Sequence, residues 1–465
     1  MVIGFFTLPI SERFTTATMT EVIALLACLS PCLEATAQRR LACLIEAVLA
    51  MTGRVTMLGI SRWTEGGGSY RTVQRFFNTP LDWLRLHWFF IRHHLLTENE
   101  VVLIGGDQTT VTKAGKKTHG LDRFFCSLYG KAVPGLSFLT LSLISVGARK
   151  SYPVLTEQVL KQAPKQEKPP SKAAKKSGSK NKGSKNKGRG RPKGSRNRNR
   201  RDVELSPFLQ FLQQALKTLL TLIGTDLNMV YFVYDGALGN NAGVQMVRQC
   251  GLHLICKLRH DAALYLPYEG PYRGKGPRRK YGDKLDYAHL PVQYLQSSST
   301  DKAIRTDIYQ MQLWHKLFAD RLNVVIIVKT NLHTQKTARV VLFSSDLDLP
   351  WDKLIDYYSL RFQIEFNFRD AKQYWGLEDF MNIRQRPVHN AANFAMFMVN
   401  ITAALRRCPQ FSLMSVLDLK AWFRAAKYVR ETLKLLPQKP EPIFIEQAVN
   451  ELSSLGRVNV PVLAD

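Results

Sequence analysis

The chain has 465 residues, 45 % of them hydrophobic and 22 % charged, which excludes a wholly disordered protein and gives length for about three domains. Its 65 Lys and Arg against 37 Asp and Glu leave a net charge of +28, which points to a polyanionic partner, nucleic acid ahead of an acidic membrane surface. No stretch approaches the ~20 apolar residues of a membrane span.

Near the N-terminus, "EVIALLACLSPCLEA" is short, carries glutamates and lacks a basic leader, so it is not read as a signal peptide. The seven cysteines (Cys28, Cys32, Cys43, Cys126, Cys250, Cys256, Cys408) form no CxxC pair. Their scatter predicts reduced thiols in a cytosolic protein and gives no zinc pattern. Residues 1–98 read as a helical region. Within it, Ser69 is placed to cap a helix from which Tyr70, Arg71, Gln74 and Arg75 project. A turn followed by such a helix is a weak helix-turn-helix signal, with Arg71 and Arg75 as candidate DNA contacts, against a plain helical bundle with a basic surface.

From residue 99 the period changes. "VVLIGGDQTTV", "RFFCSLYGKAV" and "LSFLTLSLISVG" predict three strands, the first part of an α/β unit over 99–160. The second part, 204–259, carries a helix capped by Ser206, the strand "NMVYFVYDGA", the helix "NNAGVQMVRQCG" and the strand "LHLICKLR". Strands followed by alternating helix and strand predict an α/β fold with a mixed sheet. Residues 260–350 read as a mainly β insertion that begins with the basic loop "GPYRGKGPRRKYGDK". A helix over 351–387 follows, then a helical C-terminal region, 388–465.

Between the two α/β parts, 161–203 is a basic insertion. Its run 161–201 holds 11 Lys and 6 Arg against one Glu, more than half of the chain's excess charge. Lacking apolar bulk, it cannot offset its ordering entropy and is expected to be disordered. Its "GRGRPKG" makes Arg189 and Arg191 candidate DNA contacts, either as a generic phosphate-binding tail or as a minor-groove hook.

Two apolar strands end near an acid. Asp107 follows "VVLIGG", and Asp235 follows "MVYFVY"; strand ends of this kind are where ligands sit in open α/β sheets. The later helix offers a third carboxylate. At ~100° per residue, Tyr357, Leu360, Ile364, Phe368, Ala371 and Trp375 form an apolar arc. Tyr358, Arg361, Glu365 and Lys372 lie beside that arc, within roughly 60°. Such a face is either a solvated salt-bridged surface or part of a site. If Asp107, Asp235 and Glu365 converge, three carboxylates without His or Cys suit Mg²⁺ or Mn²⁺. Two such ions ~3.5–4 Å apart would serve phosphoryl transfer, with Arg361 and Lys372 neutralising phosphates and Tyr358 touching the backbone. His119 and Asp122 read as a solvated loop pair, and Asp346 and Asp348 as the residues before a helix. "GGGS" at 66–69 lacks the lysine of a P-loop.

Tyr358 to Lys372 matches a Y-(2)-R-(3)-E-(6)-K pattern, and on these residues the chain resembles the bacterial insertion-sequence DDE transposases of the insertion sequence four (IS-four) group. The resemblance covers roughly 99–400. It implies a ribonuclease-H-like catalytic core interrupted by the β-rich insertion, with Asp107, Asp235 and Glu365 as catalytic, metal-holding residues. It also implies two Mg²⁺ ions (Mn²⁺ as substitute) and cut-and-paste transposition: binding of terminal inverted repeats, cleavage to a 3′-OH, a hairpin end, and joining to target DNA. A homodimer holding both ends is implied, in a bacterial cytoplasm and on the nucleoid when bound to DNA. An aromatic in the insertion of this group can stack on a DNA end, which makes Trp314 a candidate contact beside its plainer reading as sheet surface. Readings outside strand transfer are a metal-dependent nuclease of the same fold and a non-catalytic DNA-binding protein using the basic run.

Overall fold

A computed structural model of the chain describes residues 21–64, 68–126, 129–161, 199–272, 274, 276–438 and 440–455. Most of the basic run, with Arg189 and Arg191, lies outside the described residues.

Among the described residues before the sheet are the helices α1 (Ala35–Ala50), α2 (Met57–Ser61), α3 (Tyr70–Asn78) and α4 (Trp83–His94). Side-chain oxygens of Thr56, Ser69 and Asp82 accept the free amides at the starts of α2, α3 and α4. Helix α3 buries Val73, Phe76 and Phe77, leaving Arg71, Gln74 and Arg75 on its outer side as their spacing predicts.

Strands β1 (Val102–Thr112), β2 (Asp122–Cys126), β3 (Lys131–Ser145) and β4 (Lys150–Val159) follow, with β3 antiparallel to each of the other three. Helix α5 (Pro207–Ile223), capped by Ser206, leads to β5 (Tyr231–Val233), and α6 (Asn241–Arg248) leads to β6 (His253–Leu258). β5 is parallel to β1, and β6 is parallel to β5. Six strands come next: β7 (Leu264–Pro267), β8 (Tyr281–Lys284), β9 (Leu295–Asp301), β10 (Ile304–His315), β11 (Leu322–Asn331) and β12 (Thr337–Ser344). β12 pairs antiparallel with β6, so these strands extend the same sheet. The order is β2-β3-β1-β5-β6-β12-β11-β10-β7-β8, with β4 beside β3 and β9 beside β10.

Helices α7 (Trp351–Leu360), α8 (Gln363–Gln373), α9 (Gln385–Leu405), α10 (Val416–Leu433) and α11 (Pro442–Ser454) complete the described chain. α9 is buried on nearly every side. Its buried asparagines bond to backbone: Asn390 donates to the Phe77 carbonyl at 2.7 Å, Asn393 to Thr156 at 3.0 Å and Asn400 to Pro153 at 2.8 Å. These bonds pin α9 to the end of α3 and to β4 while giving each buried amide nitrogen an acceptor. No helix among the described residues is long and apolar enough to cross a membrane.

The architecture is mixed α/β as the sequence predicts, with differences in detail. "RFFCSLYGKAV" is not one strand; it holds the end of β2, a turn and the start of β3. β4 is an additional strand that alternation does not reveal. Pro153 falls within it, where the register with β3 shifts between Leu141 and Ser142, and a bulge is where a strand tolerates proline. Asp107 is not at a strand end, because β1 continues to Thr112. The helix expected as one piece is two. Arg361, Phe362, Ile364 and Glu365 each donate their amide three residues back, a tightened turn that separates α7 from α8. Finally, α7 begins after Pro350 without a side-chain cap, while Asp346 accepts the Tyr231 hydroxyl at 2.7 Å.

Candidate active site

The six residues of the apolar arc are all buried: Tyr357, Leu360, Ile364, Phe368, Ala371 and Trp375. This burial fixes α8 across β1, and Gly105 sets how closely. A Cβ on Gly105 would stand 2.7 Å from the Ile364 side chain and 2.6 Å from that of Ile144. On the opposite face, a Cβ on Gly106 would stand 3.0 Å from Phe232 and Tyr234. Gly105 therefore lets the helix bearing Glu365 rest directly on the strand bearing Asp107.

Asp235 reaches the same place through the sheet. Ile104 pairs with Phe232 and Gly105 with Val233, so continuing the parallel register by two residues sets Asp107 beside Asp235, on strands ~4.8 Å apart. Asp235 turns the chain immediately afterwards: its carboxylate accepts the Ala237 amide at 3.0 Å, and its carbonyl accepts the Cys256 thiol at 2.8 Å.

Arg361 joins the strand to the helix. From the tightened turn it donates to Asp107 at 2.9 Å and to Glu365 at 3.1 Å. Its side chain is only 15 % exposed, and its Nε is buried with no acceptor among the described residues. Burial pushes the Asp107 carboxyl above the usual range, and the charges of Asp235 and Glu365 add to that, opposed by the Gln108 amide and Arg361. Like charge thus concentrates on Asp107 from two sides. Burial also raises the Tyr358 phenol, which sits half-buried beside Arg361. Lys372 donates to the Thr110 carbonyl on β1 at 2.9 Å and pairs with Glu378 at 3.4 Å.

The structure thus brings Asp107, Asp235, Tyr358, Arg361, Glu365 and Lys372 to one face of β1, β5 and α8. No three His, Cys, Asp or Glu side chains among the described residues are drawn together tightly enough to hold a metal ion. Arg361 stands between Asp107 and Glu365, bonded to both.

Other candidates lie elsewhere. Trp314, on β10, is five strand steps from β1, roughly 24 Å along the sheet at the usual strand spacing. It belongs to a cluster in which cations stand over rings. Lys280 lies 5.3 Å from the Trp314 ring, Lys316 4.6 Å from Tyr265 and Arg279 4.7 Å from Tyr268. The Tyr281 ring meets Trp314 edge-on at 5.9 Å. A cleft of about 340 Å³ opens beside Tyr268, Tyr272, Arg278 and Arg279. The sequence pattern singles out Trp314 alone here; the tyrosines interleaved with basic residues in "GPYRGKGPRRKYGDK" are the signal for the rest. Asp122 pairs with Lys161 at 3.4 Å, and the His119 amide donates to the Ile383 carbonyl, so neither joins the carboxylates.

No curated protein matches the chain. A family model described as "DDE superfamily endonuclease" matches residues 28–321, which include Asp107 and Asp235 and stop short of Glu365. Proteins of this superfamily typically use divalent metals. The match spans well over half of the chain, which therefore belongs to the DDE superfamily endonucleases, with a nuclease- or transposase-type function.

Proposed function

We propose that this protein is a cut-and-paste DNA transposase of the insertion-sequence-four type. The observation that carries the reading is the placement of Asp107, Asp235 and Glu365 near one another on one sheet face, with Arg361 bonded to two of them. The strand order β4-β3-β1-β5-β6, three antiparallel strands followed by two parallel ones, supports a ribonuclease-H-like core interrupted by β7–β12.

The donor set suits a hard divalent cation: three carboxylates, Asp107 already burdened by its neighbours' charge, and the nearby Cys256 thiol turned to the Asp235 carbonyl. Asp107, Asp235 and Glu365 would hold Mg²⁺, with Mn²⁺ as substitute. Two ions would supply activation of an attacking oxygen and stabilisation of a leaving one. The chain's own residues do the rest. Arg361 offers a planar fork to a phosphate, Lys372 a point charge, and Tyr358 a hydroxyl beside Arg361. Arg71 and Arg75 on the outer side of α3 are the proposed contacts to the terminal inverted repeats. Arg189 and Arg191 add phosphate contacts from the basic run, and Trp314 a ring face for DNA away from the carboxylates. The reading includes joining of the freed 3′-OH to target DNA, a homodimer holding both ends, and residence on the bacterial nucleoid.

The experiment is single-turnover cleavage of a terminal-repeat duplex with Mg²⁺, followed by addition of target DNA. The expected result is a nick with a 3′-OH, then joined product, with neither formed in EDTA. Nicking without any joined product would favour a metal-dependent nuclease that does not transfer strands. DNA binding with no nick under any divalent metal would leave a non-catalytic DNA-binding protein.

A further inference from the structure

Arg361 satisfies two anions at once, yet its placement has a cost. It lies at the tightened turn between α7 and α8, its side chain is nearly buried, and its Nε finds no acceptor among the described residues. Several buried polar atoms among the described residues lack a hydrogen-bond partner, and Arg361 Nε is the one that stands beside the three acids. The guanidinium also stands among the carboxylate oxygens that a divalent cation would need. Two cations cannot share those oxygens at close range, because their mutual repulsion in a partly buried site is large.

We propose that Arg361 is an exchangeable counter-ion: it holds Asp107 and Glu365 until a DNA phosphate draws the guanidinium away and a divalent cation takes over the carboxylates. The inference rests on the metal-holding reading of the three acids and adds an order of events to it. The free protein binds metal weakly, and DNA makes metal binding tight by removing a competitor. Arg361 is in this respect a positioning residue for the carboxylates before it is a phosphate contact. The fork geometry suits both tasks, since a guanidinium pairs bidentately with carboxylate and phosphate alike. By linkage, metal and DNA strengthen one another by a common factor, within the roughly 5–150-fold range of ordinary coupling between sites.

The test is Mn²⁺ binding to the full chain, read as loss of the free Mn²⁺ resonance, for wild type, Arg361→Gln, Arg361→Lys and Asp235→Asn. Each is measured alone and with a duplex of unrelated sequence. Without DNA, Arg361→Gln should bind Mn²⁺ at least about fivefold more tightly than wild type. With DNA, wild type should gain more affinity than Arg361→Gln does. The phosphates' own attraction for Mn²⁺ is common to both and cancels in that comparison. Should Arg361→Gln not fold, Arg361→Lys carries the test, because an ammonium cannot span both carboxylates and should also bind Mn²⁺ more tightly than wild type. Equal Mn²⁺ affinity in wild type and the Arg361 variants, with binding lost in Asp235→Asn, would overturn the exchange and leave the metal site standing. Equal binding in all four proteins would overturn the metal site itself.

Discussion

Two regions of the molecule hold positive charge against different partners. Between β1, β5 and α8, Arg361 is tied to Asp107 and Glu365, and Lys372 to the Thr110 carbonyl and Glu378. At the other end of the sheet, Arg279, Lys280 and Lys316 stand over the rings of Tyr268, Trp314 and Tyr265. A cation locked between carboxylates sets the geometry and charge of a reaction centre. A cation over a ring forms a platform that offers a charge to a phosphate and a π-face to a base. The first arrangement should govern rate and the second affinity, and substitutions can separate the two.

The largest effect should follow from Asp107→Asn, Asp235→Asn or Glu365→Gln. Each removes a carboxylate worth several kcal/mol of charge stabilisation, so single-turnover nicking should fall by ~10³-fold or more. DNA affinity in a gel-shift titration should stay close to wild type. A variant that nicks at wild-type rate would remove its residue from the site.

Gly105→Val comes next. Even its Cβ would stand 2.6 Å and 2.7 Å from the terminal methyls of Ile144 and Ile364, and the two further methyls of valine overfill the space between β1 and α8. Overpacking of this kind costs about 1–3 kcal/mol of stability, and a ~1 Å error in Glu365 can cost about 10²-fold in rate. Arg361→Ala and Lys372→Ala should give a partial rate defect of similar size, which Arg361→Lys does not fully repair. Wild-type nicking in all of these would mean the helix face is a solvated surface.

On the sheet's far end the expected outcome is reversed. Tyr268→Ala or Trp314→Ala should weaken DNA binding by the ~1–3 kcal/mol of a stacked base, with no change in nicking rate at saturating protein. Deleting residues 165–201 should lower the log–log salt slope by ~0.9 for each DNA phosphate that the run neutralises, for every sequence alike. A rate defect at saturation would break the division between the two regions.

Another cation, Lys420, belongs to neither region. Lys420 donates to the Val48 carbonyl at 2.6 Å and stands 4.9 Å from the Trp375 ring; burial, and then Arg424, bring its ammonium down to about 7. Between that value and the ordinary 10.5 the unfolded chain binds the extra proton, so stability should rise as pH rises through this window. The slope is at most ~1.4 kcal/mol per pH unit. Denaturant midpoints against pH for wild type and Lys420→Met should show the slope in the first and its loss in the second.

Much of this was legible in the sequence because it depends on local pattern. The helical period placed Leu360, Ile364 and Phe368 in the core, and Ser69 and Ser206 fix helix starts by accepting amides of the first turn. What stayed hidden depends on pairing at a distance. β4 is masked by Pro153, which is tolerated because the register with β3 shifts opposite it. The break between α7 and α8 leaves the apolar spacing intact and so escapes periodicity. The packing of Ile364 on Gly105 is likewise visible only in the fold. The commitment of Arg361 to Asp107, 254 residues away in the chain, has no local signature.

Glu365 lies beyond the family match, so its role rests on geometry, and replacing it with a softer ligand tests the central claim most directly. The measurement is single-turnover nicking by Glu365→Cys in Mg²⁺, Mn²⁺ and Cd²⁺, beside wild type and Glu365→Ala. A thiolate is a poor ligand for Mg²⁺ and a good one for softer ions. If the carboxylate holds the metal, Glu365→Cys is inactive in Mg²⁺ and regains part of its activity in Mn²⁺ or Cd²⁺, while Glu365→Ala regains none. Equal loss in every metal, or wild-type nicking in Mg²⁺, would contradict the metal-holding role of Glu365.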